Sequence, residues 1–304
     1  MSCSKLKLLF TTWLALLFSS VLFASAPINI VTVTTDFASI AKSVGGDFVR
    51  VESFVKGSRD LHGIRPKPSM VLKLRKADLL IRLGMDQDSW VEGLIQTARK
   101  EEFFEGGIGY LDASVGIEKL EVPSMDIDGR QGDVHKEGNP HYWLAPSNGI
   151  LIGRKIMEKL IVMDPKNAEV YKQNFLLFQK DLNSKVLVWK ELLLPYKDYS
   201  FITYHKTWPY FFEEFGLSGL GQLESLPGIP PTTKHLHNLK LGIKKEEKPV
   251  VLLMANYYNQ AVGRSFSNRI GARLVVVPIN ASHTTETSYF DLFDAIVKEI
   301  INND

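Results

Sequence analysis

Three histidines stand where a shared ligand could reach them. His62 lies in "GSRDLHGIRPKPS", a polar stretch after an apolar run that ends near Val55; His141 lies in "EGNPHYWLAP"; His205 lies in "FITYHKTWPYF", directly after a β-branched run. A neutral imidazole offers one lone pair of intermediate softness. Three imidazoles with a water or a carboxylate complete a tetrahedral shell around Zn²⁺. The gaps of 79 residues (62 to 141) and 64 residues (141 to 205) form no local motif. A histidine alone in such a place is ordinarily a hydrogen-bonded or surface residue. The shared placing of all three, in loops at strand ends beside prolines and aromatic residues, is what singles them out.

Those loops need elements to hold them. Strand-like runs at "NIVTVT" (Asn29 to Thr34), "FVRVESFV" (Phe48 to Val55), "DLLIRLG" (Asp78 to Gly84) and "IGYLDAS" alternate with helix-like spacing at Phe37 to Val44, Pro68 to Ala77 and Ser89 to Lys100. This alternation predicts βαβ units and a parallel sheet. Ile117 to Pro140 breaks it, being rich in Gly, Asp, Glu and Pro and lacking any period; it reads as a long loop. A helix is expected over Asn148 to Met163. Glu169 to Leu194 then extends about 26 residues, roughly 39 Å at 1.5 Å per residue, long enough to join two halves. After Pro195 the alternation restarts with "YSFITYH", a helix from Trp208, "LSGLGQL", a helix from Thr232, "PVVLLMAN", a helix over Gln260 to Ile270, "ARLVVVP" and a last helix from Tyr289. The expected fold class is α/β: two lobes (27–163 and 198–304), each a mainly parallel sheet flanked by helices, joined by a long helix within 164–197. The ligand cleft should lie between the lobes, at the carboxyl ends of the strands.

Composition narrows the function. The 304 residues carry a formal charge of +2 with 45% hydrophobic and 23% charged side chains, so neither nucleic acid nor a strongly acidic partner is indicated. Lys5 and Lys7, the mostly apolar Leu8 to Phe23 and Ala24-Ser25-Ala26 read as a cleaved export signal over 1–26. The single cysteine, Cys3, precedes the apolar run, so the mature chain is expected to be a soluble periplasmic protein with no thiolate ligand and no lipid-bearing cysteine. Phosphate-loop, Gly-x-Ser-x-Gly and His-Glu-x-x-His patterns are absent. His235 and His237, at i and i+2 on an expected helix, point to different faces and form no joint site. Trp143, Trp208, Phe211 and Phe212 are expected to pack around the site.

The stretches "RDLHGIRPKPSMVLKLRKADLLIRLGMDQDSWVEGL", "GDVHKEGNPHYWLAP", "ITYHKTWPYFFEEFGL" and "LESLPGIPPT" resemble the solute receptors of zinc and manganese ABC transporters, the zinc branch in particular. The resemblance spreads over most of the mature chain. It implies a receptor rather than an enzyme, a membrane permease as partner, a monomer, and Zn²⁺ held as cargo by His62, His141 and His205. The manganese branch usually carries a carboxylate at the third position, so His205 tilts the preference towards zinc, with Mn²⁺ as the alternative. At the fourth position relatives place an aspartate; here Asn280 and Ala281 stand there, and His283, Glu286 or a water are the candidates. Relatives also usually read Asp-Pro-His where this chain has Asp60-Leu61-His62, and an aspartate where it has Ala145. In zinc receptors the long loop is often rich in histidine and acid; here Asp126, Asp128, Asp133, His135 and Glu137 read as a solvated loop, at best a weak accessory site. A three-histidine zinc hydrolase, with Asp60, Glu224 or Glu286 as general base, is the competing reading.

Overall fold

The computed structural model describes residues 26–124, 132–281 and 288–302. The amino-terminal half contains β1 (Ile28–Thr32), α1 (Thr35–Gly45), β2 (Val49–Ser53), α2 (Pro68–Lys76), β3 (Leu79–Arg82), α3 (Val91–Ala98) and β4 (Tyr110–Asp112). Two long helices follow, α4 (Pro146–Met163) and α5 (Ala168–Leu193). The carboxy-terminal half contains β5 (Ser200–Thr203), α6 (Pro209–Phe215), β6 (Ser218–Gln222), α7 (Thr233–Ile243), β7 (Val250–Ala255), α8 (Gln260–Ile270), β8 (Arg273–Val277) and α9 (Tyr289–Ile301). The chain thus forms two four-stranded sheets, each wholly parallel, in the orders β2-β1-β3-β4 and β6-β5-β7-β8. Strand order reverses at β1/β3 and at β5/β7, where open α/β sheets leave a crevice at their carboxyl ends.

The central strands are near-continuous apolar runs because helices cover both faces. Leu79, Leu80 and Ile81 of β3 and Leu252, Leu253 and Met254 of β7 are fully buried. Pro68 and Pro146 sit in the first turns of α2 and α4, where a missing N–H breaks no helical bond. α5 has 26 residues and packs against α1, α4 and α9. Its Trp189 is buried against Phe293, and Trp189 Nε1 donates to Asp294 Oδ1 at 2.8 Å.

Polar staples hold the halves together. Asp36, in the first turn of α1, accepts from Asn280 Nδ2 at 2.6 Å and from the Ala281 N–H at 2.8 Å, while Thr35 Oγ1 donates to the Ala281 carbonyl at 2.7 Å. The Tyr289 hydroxyl at the start of α9 donates to the Trp143 carbonyl, and the Tyr289 N–H donates to Ser39 Oγ at 2.8 Å. Gly149 makes room for this contact, since a Cβ there would lie 2.4 Å from Tyr289 Cε1. With so many buried hydrogen bonds across the seam, the loops of the two halves face each other in a fixed relation. Among the described residues, no helix is long and apolar enough to cross a membrane.

Candidate metal centre

His62, His141 and His205 come together: one ligand atom from each lies within 4.8 Å of the others. His62 arrives on the segment between β2 and α2. His141 precedes the short 3-10 turn Tyr142–Leu144 that leads into α4. His205 follows β5 by two residues, so two imidazoles come from the first half and one from the second. The His141 segment is pinned by its neighbours: Tyr142 Oη donates to the Leu83 carbonyl at 2.6 Å and Trp143 Nε1 to the Ile279 carbonyl at 2.8 Å.

Each imidazole is oriented through Nδ1. His62 Nδ1 lies 3.0 Å from Asp60 Oδ1, and His205 Nδ1 lies 2.7 Å from Glu224 Oε2. His141 Nδ1 lies 2.9 Å from Asn139 Oδ1. The Asn139 amide is fixed by its other contacts, because Nδ2 donates to Glu121 Oε2 and the Lys206 carbonyl at 3.0 and 2.7 Å, leaving Oδ1 as acceptor for the ring. Oxygen acceptors on all three Nδ1 atoms place the ring hydrogens there and leave the Nε2 lone pairs for a metal. Such carboxylate–histidine and carbonyl–histidine pairs orient ligands and raise their basicity.

Glu224 reaches His205 because the β5–β6 pairing continues past the strands. The Leu223 N–H donates to the Thr203 carbonyl and the Glu224 N–H to that of Tyr204. Glu224 is buried, and the Gly228 N–H gives it a second donor at 2.9 Å. Asp60 and Glu224, the described candidates for a hydrolytic base, are therefore occupied in holding the His62 and His205 rings.

His141 and His205 are buried, and His62 nearly so. Burial, with repulsion from His205 and then the other imidazoles, holds His141 well below the usual histidine range. The ring is therefore neutral at physiological pH, the form that binds metal. A cavity of about 250 Å³ opens onto the cluster, bordered by the 224–227 loop and by His135.

His135 departs from expectation. Far from solvated, it is half-buried, with its Nε2 3.1 Å from that of His62 and a hydrogen bond to the Met85 backbone. Burial, with repulsion from His62 and His205, pulls it down to about 4. Glu137, in contrast, pairs with Lys119. Asn280 does not border the cavity; its Nδ2 donates to Asp36, and its buried Oδ1 has no hydrogen-bond partner among the described residues. His283, Glu286, Asp126 and Asp128 lie outside the described residues, as does nearly all of the expected export signal. His235 Nε2 contacts the Gln222 carbonyl at 2.9 Å. Trp143 lies against His141, with ring centroids 5.3 Å apart, whereas Trp208 and Phe211 are sunk in the core and Phe212 packs on Phe201. Tyr258, unremarked in the sequence, flanks His205 at 6.3 Å.

Known proteins share this architecture. The chain is 24% identical over 281 residues to the "Iron-binding protein YfeA" of Yersinia pestis, covering 90% of this chain and 85% of that one. It is 26% identical over 232 residues to the "Manganese ABC transporter substrate-binding lipoprotein PsaA" of Streptococcus pneumoniae, covering 74% and 71%. It is 25% identical over 266 residues to the "Zinc-binding lipoprotein AdcA" of the same species, covering 86% of this chain but 52% of that one. In fold, a crystal structure of ZnuA superposes with a TM-score of 0.75 at 21% identity, covering 91% and 98%. A manganese-bound periplasmic metal-binding protein from Candidatus Liberibacter asiaticus gives 0.73 at 18%, covering 90% and 98%. The family described as "Zinc-uptake complex component A periplasmic" matches residues 30–303, and the chain belongs to that family of metal-binding ABC-transporter receptors, which are not enzymes.

Proposed function

We propose that this receptor captures Zn²⁺ outside the cytoplasm, on His62, His141 and His205, and hands it to the permease of an ABC transporter. The observation that carries this reading is the set of three imidazoles from both halves, each oriented by an oxygen acceptor at Nδ1. Neutral nitrogen ligands favour zinc over the harder manganese ion, which prefers oxygen. The buried seam between the halves restricts the ion's release to small tilts and loop shifts, which a docked permease would drive. The expected signal over 1–26 would deliver the chain to the periplasm as a soluble monomer.

The test is growth on limiting zinc of cells that keep the permease but lack their own zinc receptor. Expression of this chain should restore growth, and the His205→Ala chain should not. Equal rescue by both would defeat the proposal.

A further inference from the structure

The fourth position of the site has a candidate in the loop between β4 and α4. Asp60 Oδ1 accepts from both the His62 N–H and Nδ1, at 2.9 and 3.0 Å, so the free atom of His62 is Nε2. That atom faces His135 Nε2 at 3.1 Å, with ring centroids 5.2 Å apart. Two neutral imidazoles meeting nitrogen to nitrogen share at most one hydrogen, whereas a cation accepts both lone pairs. Two nitrogens bound at 2.0–2.1 Å to one tetrahedral zinc lie about 3.3–3.4 Å apart. The observed spacing is within a few tenths of an ångström of that.

His135 is held in place from both halves. On the amino-terminal side it bonds the backbone of Met85, which follows β3. On the other side the Asp133 N–H donates to the Pro227 carbonyl at 2.8 Å, tying the segment to the loop that carries Glu224. His135 borders the same cavity as His62, His141 and His205, and approaches the three, whose ligand atoms lie within 4.8 Å of one another, from the His62 side. Asn280, at the place where an oxygen ligand is expected from the resemblance, turns its amide nitrogen to Asp36 and does not border the cavity.

We propose that His135 is the fourth protein ligand of the bound ion, completing an all-imidazole site with His62, His141 and His205. The proposal rests on the receptor reading. An all-nitrogen shell without a carboxylate would discriminate strongly against Mn²⁺.

The test is X-ray absorption of the zinc-loaded protein and of its His135→Ala variant, with zinc titration of both and of His205→Ala. The expected result is four imidazoles in the parent, three plus a light oxygen ligand in His135→Ala, and affinity lower by at least about tenfold. The metal-free variant should melt where the parent does, since His135 lies outside helices and strands. Three imidazoles in the parent with unchanged affinity in His135→Ala would overturn the proposal and leave the receptor reading standing. Four imidazoles in both would overturn it in favour of another histidine, His283 foremost. Undiminished zinc binding by His205→Ala would instead bring down the receptor reading itself.

Discussion

Asp60 Oδ1 takes two hydrogen bonds from His62, one from its backbone N–H at 2.9 Å and one from ring Nδ1 at 3.0 Å. Asn139 does the same for His141, at 3.0 and 2.9 Å. Both imidazoles of the amino-terminal half are thus set by one local device, an Asx side chain two residues upstream that fixes backbone and ring together. At His141 the residue between is Pro140, whose ring stiffens the turn; at His62 it is Leu61, which is buried in the core and is held by packing instead. Partial burial pushes the Asp60 carboxyl up, but the hydrogen bonds from His62 outweigh it and hold the group below its ordinary value.

Removing this acceptor should free the His62 ring to rotate and to change tautomer. Asp60→Ala is expected to weaken zinc binding about 10–100-fold, the usual cost of losing a partner behind a ligand. Asp60→Asn keeps an oxygen acceptor and should lose much less. Competition against a chromophoric chelator measures both; equal losses in the two variants would show that charge, not orientation, is what Asp60 supplies.

The seam between the halves should respond to pH through Asp36. Full burial raises its carboxyl from 3.8 to about 6, although hydrogen bonds from Asn280 and Ala281 pull the other way. Between these values the folded chain keeps a proton that the unfolded chain has released. The contribution of Asp36 to stability therefore falls as pH rises from 4 to 6 and is level outside that window. Relative to the parent, Asp36→Asn should gain on the order of 2–3 kcal/mol over that rise. Urea unfolding at several pH values would show it, and parallel curves for the two proteins would refute it.

Ala145 occupies the N-cap of α4 and offers no side-chain acceptor. The Ser147 N–H finds one elsewhere, in Glu214 Oε2 of α6 at 3.3 Å, while Lys190 of α5 pairs with Oε1 at 2.8 Å. Glu214→Ala should therefore destabilise the protein by about 1–3 kcal/mol. Adding Ala145→Ser to that variant should restore about 1 kcal/mol by supplying the missing cap. Thermal unfolding of the single and double variants checks this, with additive losses as the contrary result.

Much of this arrangement is legible in the sequence. β-branched runs such as "NIVTVT" and "PVVLLMAN" mark strands buried on both faces, and the helix expected over Glu169 to Leu194 is observed over Ala168–Leu193. The strand-end loops of His62, His141 and His205 could be read because each follows or precedes a strongly patterned element. His135 could not, since its segment has no period and its partner is 73 residues away. Glu224 drew notice only as a possible base. Its pairing with His205 depends on β5 and β6 lying side by side, which composition does not reveal. Asn139 was within reach of the sequence, because Asp60-x-His62 and Asn139-x-His141 share one spacing.

The central claim is a zinc site assembled from both halves, and calorimetric titration of the metal-stripped protein with Zn²⁺ and Mn²⁺ at neutral pH tests it most directly. One zinc per chain, bound more tightly than manganese and lost in both His62→Ala and His205→Ala, is the expected result. Absence of zinc binding, or zinc held equally well without those histidines, would contradict it.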